Sequence, residues 1–215
     1  VSSFVTTSAL TTTGSMFYNC QDLTSLSFSS TFDTSGVTNM SSMFRECTAL
    51  TSLDVSTFVT TSALLTTSSM FRSCTALTSV DVSSLDTSSA TNMQHMFSYC
   101  SGLTTLDLST FDTSSVTTMN QMFHSCSSLT SLSFPSTFVT SGVTSINYMF
   151  YNCNGLTSLD LSSFDTSNVT TMQNMFANCS GLTSLDVSSF NTSNVLNMTY
   201  MFSGCSGLTS LDVSS

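Results

Sequence analysis

Lysine is absent from this 215-residue chain, and Arg45 and Arg72 are its only arginines. Grip on a phosphate backbone rests on Lys and Arg. With a formal net charge of −10, the chain is excluded as a nucleic-acid binder, and an anionic membrane surface is an equally poor partner. Charged residues make up 7%, against about 25% in ordinary soluble domains. No apolar run approaches the ~20 residues of a membrane span, so this segment does not insert into a bilayer. Tryptophan is missing and Pro135 is the sole proline, so no proline-rich linker divides the chain. No export leader is visible. The chain opens on Val1, which reads as a processed chain or a piece of a longer one.

What remains is Ser and Thr, 87 residues in all, set among 40% apolar residues that include 17 Phe and 13 Met. Disorder goes with few apolar residues and high net charge. This chain has enough apolar surface to bury a core, and residues 1–215 read as one continuous domain.

The eight cysteines are Cys20, Cys47, Cys74, Cys100, Cys126, Cys153, Cys179 and Cys205, spaced 26 or 27 residues apart. Each is preceded by Met-Phe-x-x and followed by x-x-Leu-Thr. The unit is MFxxCxxLTSLDVSSFDTSxVTxMxx. A fixed period of this length is the signature of a solenoid, in which each repeat buries its apolar residues only by stacking on its neighbours. Within the unit LTSLDVS is L-x-x-L-x-L, a leucine-rich-repeat strand. It places Leu50, Leu53 and Val55 inward, with Ser52 and Asp54 on the open face. Val116–Met119 (VTTM) reads as a second short extended segment. Met119, Met122, Phe123 and Cys126 have helical spacing, so the MFxxC piece reads as a helical or 3-10 turn. The expected fold is β-rich: a leucine-rich-repeat-like, right-handed stack of eight coils, each with a parallel strand, a second short strand and that turn. Eight coils at about 4.8 Å span roughly 40 Å.

The motif MFxxCxxLTSLDVSSFDTSNVTxM resembles the BspA-like leucine-rich repeats of microbial surface proteins, along the whole chain. The resemblance implies an extracellular or cell-surface solenoid for attachment or display, without enzymatic activity, cofactor or catalytic residues.

In a solenoid each repeat position becomes a column. The cysteine column reads either as buried free thiols or as disulfides between coils; parallel stacking keeps Cβ atoms too far apart for favoured disulfide geometry. Metal binding is disfavoured, because one thiol per coil cannot surround a tetrahedral ion. Asp54, Asp81, Asp107, Asp160, Asp186 and Asp212 form an open-face column. Carboxylates stacked at that spacing are expected to have raised pKa values. Solvation by water and neighbouring hydroxyls competes with Ca²⁺ held between coils, since Ca²⁺ takes six to eight oxygens. The Thr column beginning at Thr24 and Thr51 reads as a hydroxyl ladder. Glycosylation sequons lie at Asn39, Asn168, Asn178, Asn191 and Asn197.

Variation between repeats concentrates in the turn M-x-x-M-F-x-x-C. It holds Arg45, Glu46, Arg72, His95, Tyr99, His124, Tyr148, Tyr151 and Tyr200, a candidate lateral contact surface for a host protein or glycan. Neither end carries an atypical capping repeat, and Val213-Ser214-Ser215 repeats the phase of Val1-Ser2-Ser3. The expected partner is therefore the chain itself, as a continuous longer array or end to end in a fibre or stalk.

Overall fold

A computed structural model describes residues 4–213. The chain winds into eight stacked coils, each identified by its Met-Phe-x-x-Cys turn, from Phe17 and Cys20 in coil 1 to Phe202 and Cys205 in coil 8. The named strands, β1 (Ser52–Asp54) and β2 (Ser79–Asp81), lie parallel and in register, with Ser52 opposite Ser79, Leu53 opposite Val80 and Asp54 opposite Asp81. Leu53 and Val80 are buried and their flanking residues exposed, the two-residue alternation of a half-buried strand. The same segment of other coils continues this ladder one bond at a time, as in Thr104 N–H to the Thr78 carbonyl at 3.2 Å and Thr130 N–H to Thr104 at 3.3 Å. The strands stay short for a local reason. Asp54 Oδ1 takes the Ser56 N–H at 2.8 Å, and Asp81 takes that of Ser83 at 2.9 Å. These Asx turns bend each coil away before the ladder lengthens.

The second extended segment is reduced to one parallel bridge per interface. The bridges run Thr12, Asn39, Thr66, Asn92, Thr118, Ser145, Thr171, Asn197.

The MFxxC segment is not helical. Its i, i+3, i+4 apolar spacing is real, but its amides alternate between two kinds of partner. Met43, Arg45 and Cys47 close turns onto Met40, Ser42 and Phe44, while Ser42, Phe44 and Glu46 donate to Ser68, Met70 and Arg72 of the next coil. A helix would return every amide to its own turn. Stacking diverts every second one outward.

The core is a set of columns. Leu50, Leu77, Leu103, Leu129, Leu156 and Leu182 are fully buried, with Leu23 and Leu208 partly buried in the outermost coils. Eight phenylalanines, Phe17, Phe44, Phe71, Phe97, Phe123, Phe150, Phe176 and Phe202, stack coil on coil with centroids 5.5–6.0 Å apart and planes within 10°. All eight cysteines are free thiols. From coil 2 onward each thiol donates to the carbonyl of the preceding coil's phenylalanine, from Cys47 to Phe17 at 3.2 Å through Cys205 to Phe176 at 3.0 Å. The cysteine is thus small enough for the core and still satisfies a backbone acceptor of its neighbour. Buried threonines add a second tie: Thr87, Thr113, Thr140 and Thr166 donate Oγ1 to carbonyls of the following coil at 2.7–3.1 Å.

Candidate contact surface on the turn edge

The turn edge is built by backbone geometry that the sequence does not advertise. In every coil the residue before Met-Phe and the residue before Cys have positive φ. The first column runs Ser15, Ser42, Ser69, His95, Gln121, Tyr148, Asn174, Tyr200, and the second Asn19, Glu46, Ser73, Tyr99, Ser125, Asn152, Asn178, Gly204. Only one of the sixteen is glycine. The left-handed region costs a non-glycine residue roughly 1–2 kcal/mol. In coils 1 to 7 the inter-coil ladder bonds these residues and offsets that strain, while Tyr200 and Gly204 of coil 8 keep the conformation without it. The two left-handed residues and the phenylalanine between them each donate an N–H to the next coil, a set of three repeated at every coil interface; Gln121, Phe123 and Ser125 reach Asn147, Met149 and Tyr151 at 2.9, 3.0 and 2.7 Å.

This geometry decides where the candidate residues go. The residue after Met-Phe in coils 1 to 6 is Tyr18, Arg45, Arg72, Ser98, His124 and Tyr151. Arg45 lies over the Tyr18 ring at 5.3 Å and forms an ion pair with Glu46 at 3.0 Å. Arg72 lies over Tyr99 at 5.9 Å. The Tyr99 ring meets His124 at 4.7 Å, and His124 stacks on Tyr151 at 4.7 Å and 17°. Tyr148 flanks both, 6.1 Å from His124 and 5.6 Å from Tyr151. The structure therefore gathers Arg72, Tyr99, His124, Tyr148 and Tyr151 into one ladder along coils 3 to 6. Arg45 and Glu46 stand with Tyr18 on coils 1 and 2, and the exposed Tyr200 stands apart on coil 8. Tyr18 was not among the residues expected here, although it shares its column with Arg45. His124 is 8% exposed, more interior than a contact residue need be.

Burial holds the His124 imidazole down to about 4, with the charges of His95 and Arg72 adding to the depression. Burial also lowers His95, with Arg72 and Arg45 contributing. Both Nδ1 atoms are enclosed without a hydrogen-bond partner. Along this ladder Tyr99 is exposed and Arg72, Tyr148 and Tyr151 are partly exposed.

The aspartate column corrects an expectation. The pKa values of Asp54, Asp81, Asp107, Asp160 and Asp186 are lowered, not raised. The side chain and backbone N–H of the serine two residues on hold Asp54 and Asp81 below the usual carboxylate range; for Asp107, Asp160 and Asp186 the backbone bond leads and the side chain follows. Repulsion from Asp54 and Asp107 on Asp81, and from Asp160 and Asp212 on Asp186, is smaller than these bonds. The carboxylates of Asp54, Asp81, Asp107, Asp160 and Asp186 are exposed, and each accepts the N–H of the serine two residues on as an Asx turn. Among the described residues no group of three or more His, Cys, Asp or Glu is placed to hold a metal ion. The Thr column does form its ladder, with Thr78, Thr104 and Thr130 Oγ1 reaching the preceding coil's carbonyl at 3.3–3.4 Å. Of the sequon asparagines, Asn168, Asn178 and Asn191 are exposed and Asn39 and Asn197 half-buried.

The chain matches the family model described as "Mycoplasma protein of unknown function, DUF285" at residues 2–101, 59–133 and 133–214. Among solved structures it is similar to a T. pallidum leucine-rich-repeat protein, at 20% identity and a TM-score of 0.55 over 86% of this chain and 78% of that one. A Bacteroides ovatus leucine-rich-repeat protein aligns at 17% identity and a TM-score of 0.39, over 93% of this chain and 69% of that one. A leucine-rich cell surface protein of Faecalibacterium prausnitzii aligns at 23% identity and a TM-score of 0.33, over 63% of this chain and 38% of that one. No curated protein matches.

Proposed function

Since the chain belongs to the family described as "Mycoplasma protein of unknown function, DUF285", and carries BspA-like leucine-rich repeats in a solenoid, we propose that it is an extracellular structural repeat protein, part of a fibre or cell-surface stalk. One observation carries this reading: the same three amide bonds and the same phenylalanine stack recur at every interface from coil 1 to coil 8. Such a stack transmits length and stiffness, and each repeat depends only on its neighbours.

Two further features support life outside a cell. The thiolate is the reactive form of cysteine, and burial pushes Cys47 up to about 11 and Cys100 and Cys179 to about 12. The interior thiols are therefore shielded from oxidation. The absence of lysine leaves a trypsin-like protease only Arg45 and Arg72, both on turns whose backbone is bonded to the next coil.

Immunogold labelling of intact producing cells tests the reading. Label on the outer surface or on shed fibres is expected; label confined to the cell interior would overturn it. A second reading, a surface adhesin for host protein or glycan, is favoured by the ladder from Arg72 to Tyr151, which departs from the Ser/Thr surface around it. Loss of cell or matrix adhesion in a Tyr99→Ser, Tyr151→Ser double variant would support that role, and unchanged adhesion would remove it.

A further inference from the structure

Arg45 and Arg72 stand in one column on adjacent coils, yet their guanidinium groups are used differently. Arg45 donates its Nε–H to Glu46 at 3.0 Å and is neutralised by it. Arg72 lies over the Tyr99 ring at 5.9 Å. Among the described residues its side chain has neither an acid partner nor a hydrogen bond. A guanidinium carries five N–H donors in a planar fork, and none of the Arg72 nitrogens is sealed from solvent.

A second observation adjoins it. Six enclosed side-chain N or O atoms lack a hydrogen-bond partner among the described residues, and three of them, Ser98 Oγ, His95 Nδ1 and His124 Nδ1, belong to coils 4 and 5. Ser98 and His124 continue the Arg72 column and are 0% and 8% exposed. Buried polar atoms are paired in the great majority of cases, with protein or with something bound. Three unpaired ones beside an unused guanidinium point to a bound group.

Charge and surface define that group. The turns of coils 3 to 5 hold Arg72 and no Asp or Glu, and the charges that depress His95 and His124 are those of Arg72, Arg45 and His95, all cationic. The site therefore takes an anion, and the fork matches a carboxylate bidentately. A protein partner brings an apolar interface centre, but among the described residues Tyr99 is the one exposed large apolar side chain on the turns of coils 3 to 6. A polyanion would set many charges against a chain of net −10. A sugar acid brings one carboxylate and a ring of hydroxyls, for which the half-buried Ser73 and Gln94, next in sequence to Arg72 and His95, offer polar side chains.

We propose that Arg72 and Tyr99 form the centre of a binding site for a carboxylated sugar. The Arg72 fork holds the carboxylate and Tyr99 lies against the pyranose. Water carried in with the sugar hydroxyls pairs Ser98 Oγ and the two Nδ1 atoms. The inference rests on the adhesin reading of this edge and names its ligand class. Adhesion that persists while no sugar acid binds sinks the site and leaves that reading standing.

The test is titration of the 215-residue chain with glucuronate, followed by NMR of the tyrosine and histidine rings. Parallel titrations use glucose, which lacks the carboxylate, acetate, which lacks the sugar, and a capped Ala-Glu-Ala peptide. Saturable shifts at Tyr99 and His124 are expected with glucuronate, and much weaker ones with the other three. Arg72→Gln weakens binding about tenfold or more, the loss of a hydrogen bond to a charged group. Arg72→Lys, which keeps the charge but not the fork, recovers part of it, and Arg45→Gln binds like the parent. No saturable shift in the parent chain overturns the proposal. So does equal binding of glucose, acetate or the peptide, the last assigning the site to a protein carboxylate, and so does an Arg72→Gln variant that binds as the parent does.

Discussion

Replacing Phe123 by Ala removes one ring from the middle of the phenylalanine column. The ring is fully buried, stacks on Phe97 at 6.0 Å and Phe150 at 5.6 Å, and takes an edge contact from Phe134 at 6.3 Å. Truncating a buried Phe costs about 3–5 kcal/mol. Oriented aromatic pairs are worth about 0.5–1.5 kcal/mol beyond their buried area, and this ring makes three, so the upper part of that range is expected. Relaxation is limited, because the neighbouring rings are held by amides bonded across the interface. The loss falls on one coil and its two interfaces. In a one-dimensional stack it divides the array instead of loosening it uniformly. Urea denaturation reads the total and segment-resolved hydrogen exchange reads its distribution: Phe97 and Phe150 amides open early, while Phe44 and Phe176 stay closed. Uniform loss of protection from coil 1 to coil 8, or a cost below about 1.5 kcal/mol, would refute the argument.

Gln121 sits at φ 59°. Gln121→Gly relieves about 1–2 kcal/mol of left-handed strain against about 0.5–1 kcal/mol of glycine entropy, so the denaturation midpoint should rise slightly; a fall would show that the position is not strained. An unfolded histidine takes its proton near pH 6.5 and folded His124 only near 4, so the unfolded state binds protons first and stability should drop as pH falls between those values. His124→Phe should flatten that slope, and an unchanged profile would contradict the burial argument. Unfolded thiols ionise near pH 8.5 while Cys47 and Cys179 wait until about 11 and 12; stability should therefore fall as pH rises above about 9. At neutral pH a thiol reagent should modify the half-buried Cys20 and Cys205 well before the six buried cysteines, and equal rates would refute the sealed column. Adding a chelator should leave the melting temperature unchanged, because the Asp column is already occupied by its own serines; a large drop would establish bound cation.

Period and core were open to reading because stacking imposes one residue type per position: Leu50, Phe44 and Cys47 recur for the same packing reason in every coil. The turn was harder. Met119, Met122, Phe123 and Cys126 have the spacing of a helical stripe, and only the diversion of alternate amides to the next coil distinguishes this turn from a helix. Left-handed φ usually announces itself as Gly or Asn. Here Glu46, His95, Tyr99, Gln121 and Tyr148 adopt it under force from inter-coil bonds, so composition carried no warning. The sign of the aspartate shift was within reach, because Asp-x-Ser is an Asx-turn pattern that supplies the carboxylate with donors. Column spacing alone suggested repulsion. The ring ladder was partly visible as a cluster of variable residues, but the burial of His124 depends on Tyr99 and Tyr151 closing over it from adjacent coils.

The central claim is that each coil is an interchangeable unit held by its neighbours. Deleting residues 101–126 removes one full period and joins Cys100 to Ser127, restoring Cys-Ser-Ser-Leu-Thr in phase. Deleting 101–113 removes half a period and sets strand against turn. Thermal unfolding of the two variants decides the matter. The account predicts a cooperative, near-parental transition for the in-phase deletion and none for the out-of-phase one; two variants that melt alike, or a full-period deletion that does not fold, would contradict it.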